Sequence, residues 1–154
     1  MFGEFLPQHI DNTHRGHKLA LWLFGLVVGV RITQSLLIIF NGYSTARDAD
    51  GIPLDTYTPA AAQTVVALFA QGSLWRLIFC LLCVLVLARY RSAIPMMFGL
   101  LLLSYLAGQL IFQFVPLVRI GTPPGPIMNL IMFVLMIVGL TLSLWRPGKR
   151  QAQE

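Results

Sequence analysis

The sequence predicts an all-α integral membrane protein: an antiparallel bundle of four transmembrane helices with both termini in the cytoplasm. Three observations lead there. Of 154 residues, 56% are hydrophobic and only 11% charged, whereas ordinary soluble domains carry about a quarter charged residues. A soluble chain this small has too high a surface-to-volume ratio to hide so much apolar surface, which lipid can solvate instead. The apolar residues also fall into runs near the ~20 residues that cross a bilayer core. Finally, the basic residues cluster at the ends of those runs, where they orient helices.

Residues 1–18 form a mixed cytoplasmic tail ending in His14-Arg15-Gly16-His17-Lys18. The first span is expected over 19–40, with Arg31 as its one charge. It has the basic start of a signal peptide, and Ser44-Thr45-Ala46 resembles a cleavage site, but its apolar region exceeds the usual ~7–15 residues. It therefore reads as a retained helix. Residues 41–58 are polar and turn-rich, with Asn41-Gly42, Asp50-Gly51 and Pro53. Thr58-Pro59 has the form of an N-cap followed by proline at the first helical position. Beyond it two readings stand. One long helix runs from Pro59 to about Arg89, or an interfacial helix precedes a span over 72–89, with the break at Gly72. A single glycine costs only ~1 kcal/mol, which favours the long helix. Arg89-Tyr90-Arg91-Ser92 is a tight basic turn. The third span is expected over 93–115, with Pro95 tolerated in its first turn. Residues 116–126 read as a proline-rich hairpin, and the fourth span as 127–145, stopped by Pro147-Gly148. Residues 146–154 form the second cytoplasmic tail.

Counting Lys and Arg fixes the expected orientation. Arg15, Lys18, Arg89, Arg91, Arg146, Lys149 and Arg150 fall on one side, and Arg47 and Arg119 on the other. The richer side is assigned to the cytoplasm, and the membrane to a bacterial inner membrane. No aromatic-interleaved basic stripe marks a nucleic-acid partner. The three histidines (His9, His14, His17) lie in the tail, so no metal site, haem or other cofactor is expected within the spans.

The layout is an Arg late in the first span, an outer loop, and the basic-aromatic turn Arg89-Tyr90-Arg91 followed by Pro95. It resembles that of small four-span bacterial inner-membrane proteins of unknown function. The resemblance covers most of the chain, is one of layout, and transfers no site residues. Phe24-Gly25-Leu26 also resembles Phe98-Gly99-Leu100, and Thr58-Pro59 resembles Thr122-Pro123. A duplicated helical hairpin would explain both, although the two spacings differ and apolar helices look alike by chance.

The intramembrane polar residues are the candidate site. Arg31 and Arg76 each lie ~20 Å along a helix from the cytoplasmic boundary at 1.5 Å per residue. An Arg at this depth costs at least ~2.5–3.5 kcal/mol and faces a bundle interior or water. Side chains lean toward their helix N-terminus, so Arg31 leans deeper while Arg76 leans outward and can snorkel. All six acids (Glu4, Asp11, Asp48, Asp50, Asp55, Glu154) lie outside the spans. Partners for the arginines are therefore Asp48 or Asp55 folding down from the outer loop, backbone carbonyls, amides, or an anion from outside. Guanidinium matches phosphate or carboxylate in a two-pronged geometry. Arg31, Gln34 and Ser35 share one face of the first span. Tyr105, Gln109 and Gln113 share a face of the third. Asn129, Met132, Met136, Gly139 and Ser143 form a stripe on the fourth. Together they outline a polar cavity in the outer half, against the blander reading that these amides only bond helix to helix. Gly25 and Gly29 form a small-xxx-small pair for helix packing, within the chain or in a homo-oligomer. Cys80 and Cys83 lie on the Arg76 face. Four-span quinone-linked thiol oxidases also place Cys-x-x-Cys beside an Arg, but here the pair sits inside the apolar span with no second pair, which favours buried structural cysteines.

Three functions follow as expectations. The first is binding or translocation of an amphiphilic anion, a lipid or polyprenyl phosphate, with Arg31, Arg76, Gln34, Gln109, Gln113, Asn129 and Tyr105 as ligand-binding residues and membrane lipids as partners. The second is a non-catalytic accessory subunit of a larger membrane complex. The third is a quinone- or thiol-linked membrane enzyme. No catalytic residue set is visible.

Overall fold

The computed structural model describes Asn12 and residues 16–145. Expectations placed on the tails, including Arg15, Arg146, Lys149 and Arg150, fall outside the described residues. Among those described there is no strand, and four helices are long and apolar enough to cross a membrane. The chain is a multi-pass membrane protein.

The first helix, α1 (Lys18–Phe40), is capped by His17, whose Nδ1 accepts from the Leu19 N–H at 3.1 Å. The second, α2 (Pro59–Arg89), starts as the Thr-Pro pair predicts: Thr58 Oγ1 accepts from the Ala61 N–H at 3.3 Å, with Pro59 in the first turn, where its missing donor costs nothing. It runs 31 residues without a break at Gly72. At 1.5 Å per residue this is ~46 Å, well beyond a ~30 Å hydrocarbon core. The single long helix is thus the form adopted.

A short 3₁₀ turn, Arg91–Ala93, leads into α3 (Ile94–Phe114). The fourth helix, α4 (Pro124–Leu144), begins three residues before the expected start at 127, a correction to the hairpin read over 116–126. Pro123 takes the extended cap conformation, and Pro124 and Pro126 occupy the first turn, where N–H groups have no intrahelical partner. Prolines that look like a loop are here a helix start.

The helices do not pack evenly. α1 lies against α2 and α4, and α3 against α4, while the consecutive pair α2 and α3 touch little. The main core sits at one end. Phe24, Val27 and Val28 of α1 meet Cys80, Cys83 and Val86 of α2, with Ile94, Met97, Phe98 and Leu101 of α3. Phe24 and Phe98 pack edge to face, with centroids 5.0 Å apart at 74°, a geometry favoured by the ring quadrupoles. Gly139 of α4 admits the Phe98 ring, which a Cβ there would strike. The expected α4 stripe is real beyond Asn129: Met132, Met136, Gly139 and Ser143 are its buried residues. At the same end the His17 N–H donates to the Leu142 carbonyl at 3.1 Å.

All buried residues of α3 lie between Ile94 and Leu101. Its second half has none, and two cavities leave that half of the molecule hollow.

The loop between α1 and α2, read as simply polar, is folded. It forms helical turns at Gly42–Ser44, Thr45–Ala49 and Leu54–Thr56. Ala46, Ile52 and Leu54 are buried against Ala62, with Val65, Val66, Phe69 and Leu117 around them. Gly51, at φ +73°, turns the chain back, a conformation glycine adopts without steric penalty. The Gly51 carbonyl accepts from the Ile120 N–H at 2.8 Å, tying this loop to the α3–α4 loop. The two loops together roof the hollow half.

Candidate functional site

Two adjoining cavities occupy the hollow half. The deeper one, about 420 Å³, lies in the cleft between α2 and α3. Arg76, Trp75 and Cys80 of α2 and Ser104, Tyr105 and Gln109 of α3 form its sides, with Arg31 and Asn129 at the back. Its existence follows from the sparse α2–α3 contact. The glycines at 72 and 108 line the cleft and have nothing within 4 Å of where a Cβ would stand. Trp75 is 66% exposed and Gln109 is also exposed, so the cleft opens on the flank of the molecule.

The outer cavity, about 410 Å³, lies beneath the two loops. Gln34, Asp50, Ser73, Arg76, Arg119 and Asn129 supply its polar groups, among apolar side chains such as Phe69 and Leu117. Gly72, Arg76, Phe112 and Asn129 line both spaces and form the wall they share.

Arg31 donates from Nη1 to Asn129 Oδ1 at 3.1 Å. Of the partners weighed from sequence, an amide is the one realised. The Arg31 carbonyl accepts from the fully buried Ser35 hydroxyl at 2.9 Å, which keeps Ser35 out of the cavities. Arg76 reaches both cavities and is exposed. Among the described residues, neither arginine forms an ion pair with a carboxylate, so the deep cavity holds two positive side chains and no acid.

The expected loop acids do not fold down. Asp55 instead accepts from the Tyr43 hydroxyl at 2.9 Å and pairs with Arg47 at 3.0 Å, and Asp48 lies 3.7 Å from the same guanidinium. That hydrogen bond to Asp55 is the main reason the Tyr43 hydroxyl is pushed above its ordinary range. The acid that does enter is Asp50. Its Oδ1 lies close against Gly125 in the first turn of α4, where a negative charge is favoured by the helix dipole. Burial nevertheless pushes its carboxyl above the usual carboxylate range, outweighing the opposing pull of Arg119 and Arg76. Arg119 itself stands 5.8 Å over the Phe112 ring, within cation–π range.

Of the residues singled out from sequence, Arg31, Arg76, Gln34, Tyr105, Gln109 and Asn129 all line one or both cavities. Gln113 lines neither and is exposed. Tyr105 also stacks on Phe133, with centroids 4.7 Å apart. The glycine pair divides: Gly25 lies against Leu87 of α2, with 3.6 Å from its Cβ position, while Gly29 faces open space. Cys80 and Cys83 are fully buried and unbridged. Sequence reasoning missed Asp50 and Arg119. The signal for both was turn chemistry, since each is within two residues of a glycine at positive φ, Gly51 and Gly121, that redirects the chain over the bundle.

Gln34 carries one more feature. Its Oε1 is buried and has no hydrogen-bond partner among the described residues. A buried acceptor left unmet costs ~1–3 kcal/mol, and this one belongs to a residue lining the outer cavity.

Comparison with protein families, curated proteins and solved structures finds no match to this chain.

Proposed function

We propose that the protein binds or translocates an amphiphilic anion, a lipid or polyprenyl phosphate, that enters the α2–α3 cleft from the bilayer. One observation carries this reading: Arg31 and Arg76 line a single laterally open cavity that holds no acid, and the bond Arg31 makes is to a neutral amide. Maintaining two such arginines costs at least ~2.5–3.5 kcal/mol each on insertion scales. A phosphate between them would recover that cost through charge-assisted hydrogen bonds. Trp75, Phe79 and Leu101 give the same cleft apolar walls, which suit the chain of an amphiphile.

The membrane arrangement belongs to the same proposal. The bundle is antiparallel, supported by the pairing of His17 with Leu142 at one end and Arg31 with Asn129 further along. Both termini face the cytoplasm of a bacterial inner membrane, supported by the described basic residues Lys18, Arg89 and Arg91 lying at the packed end. The cavities then lie in the outer half.

The test is native mass spectrometry of the protein extracted with its lipids. The parent is expected to retain an anionic lipid, and Arg31→Leu and Arg76→Leu to lose it. Equal retention in all three would overturn the proposal.

A further inference from the structure

The deep cavity presents two guanidinium groups and no carboxylate where a phosphate would sit, but the outer cavity is chemically different. It holds two acceptors with no hydrogen-bond donor or ion-pair partner among the described residues. Gln34 Oε1 is buried and unpartnered among the described residues. The Asp50 carboxylate feels Arg119 and Arg76 electrostatically, but it forms no ion pair with them among the described residues. Both acceptors line the space directly beyond the Arg76–Asn129 wall. A bare phosphate monoester with a hydrocarbon tail would fill the first cavity and leave these acceptors unmet. A head group that continues past the phosphate and ends in hydroxyl or ammonium hydrogens would meet them.

Resting on the anion reading above, we propose that the ligand is a phosphodiester lipid whose head group donates hydrogen bonds. Its phosphate sits between Arg31 and Arg76, and its terminal hydroxyl or ammonium reaches Gln34 Oε1 and Asp50. The chain then reads two features of its ligand. Arg31 and Arg76 recognise the charge, and Gln34 and Asp50 select the head group. The polarity fits the direction of entry, since the tails remain in the α2–α3 cleft while the head group lies under the loops.

The experiment uses the full chain in nanodiscs of neutral phosphatidylcholine doped with one test lipid: phosphatidylglycerol, phosphatidylethanolamine, or phosphatidylmethanol, a phosphodiester with no head-group donor. Bound lipid is counted by native mass spectrometry. The parent is expected to retain phosphatidylglycerol or phosphatidylethanolamine about tenfold over phosphatidylmethanol, the size of one well-formed hydrogen bond to a buried acceptor. Gln34→Leu is expected to erase the preference. Asp50→Asn distinguishes the donors, because loss confined to phosphatidylethanolamine marks an ammonium at Asp50. Equal retention of all three lipids by the parent, or a preference that survives both substitutions, would overturn the inference. Phosphatidylmethanol retention that falls in Arg31→Leu while head-group preference is absent would leave the anion reading standing and remove only this one. Retention indifferent to Arg31→Leu and Arg76→Leu would remove both.

Discussion

Replacing Asn129 by Asp changes one atom type at the acceptor 3.1 Å from Arg31 Nη1. It sets the proposed site against the stability of the fold. In the native chain the guanidinium is held by a neutral amide and keeps its full charge available to a ligand. In the Asn129→Asp variant it gains a carboxylate at contact distance. At ~4 Å and an effective dielectric of ~20 the attraction is ~4 kcal/mol. Desolvating the new carboxylate takes back a large part of it, several kcal/mol in unfavourable cases. The cleft is open on one side, so the penalty falls short of the deep-interior figure, and a net gain of about 1–2 kcal/mol is expected. The effect on an anion has the opposite sign. A carboxylate ~5 Å from a bound phosphate repels it by ~3 kcal/mol at the same dielectric, roughly a hundredfold in Kd. Asn129→Leu separates the contributions. It removes the acceptor without adding charge and should destabilise by about 1–2 kcal/mol, the upper part of the range measured for hydrogen bonds within membranes. The assay is thermal unfolding in one detergent for parent and both variants, paired with lipid retention by native mass spectrometry. Asn129→Asp should unfold at a higher temperature than the parent and retain less anionic lipid, and Asn129→Leu should unfold at a lower one. An Asn129→Asp variant that is less stable than the parent, or that binds anionic lipid as well, would refute the reasoning.

Three further outcomes are expected. Gly139→Ala drives a Cβ into the Phe98 ring and should destabilise by about 1–3 kcal/mol through overpacking, whereas Gly29→Ala meets nothing within 4 Å and should be neutral or slightly stabilising in thermal unfolding. Gly51→Ala places a side chain at φ +73°, 2.9 Å from Pro123 Cγ. It should cost about 1–2 kcal/mol, read as faster hydrogen exchange at the Ile120 amide that bonds the Gly51 carbonyl. Burial holds the Asp50 carboxyl above its ordinary range, so the folded state binds that proton more tightly than the unfolded chain does. Its contribution to stability is then greatest at low pH and declines as pH rises from the ordinary carboxylate value through the raised one; unfolding of Asp50→Asn measured against pH should lack that decline.

The four spans were legible because lipid imposes a coarse, strong requirement: every buried backbone group must be satisfied within a segment about 20 residues long. Thr58-Pro59 and the Arg89-Tyr90-Arg91 turn marked boundaries through local chemistry alone. The α4 start was not legible, because Pro123, Pro124 and Pro126 serve equally well in a loop or in a first helical turn. The loop core was hidden for a related reason. Ile52 and Leu54 are isolated among polar residues and carry no periodicity, so only their contact with Ala62 and Val66 reveals them. The site was half legible. Helical spacing placed Arg31, Gln34, Tyr105, Gln109 and Asn129 on particular faces, and those faces line the cavities. Spacing could not say where a face ends in space, so Gln113 was included although it is exposed and lines neither cavity. Nor could spacing show which acid the loop delivers. Asp48, Asp50 and Asp55 are equivalent in composition, and the positive φ of Gly51 selects Asp50.

The cleft itself results from where the large residues were placed. Phe24, Phe98, Met97 and Met136 concentrate in one half of the bundle, and the glycines at 72 and 108 occupy facing positions in the other. A bundle built only for stability gains by filling such a space, since each methylene withdrawn from contact forfeits dispersion and, in a membrane, no hydrophobic driving force between helices makes up the loss. Here the unfilled half coincides with the level of both intramembrane arginines, the Gln34 acceptor unpartnered among the described residues, and the incoming Asp50. Four separate departures from the packing expected of an inert bundle therefore meet in two adjoining cavities. A gap arising from loose packing alone would be lined by the same apolar side chains as the rest of the spans.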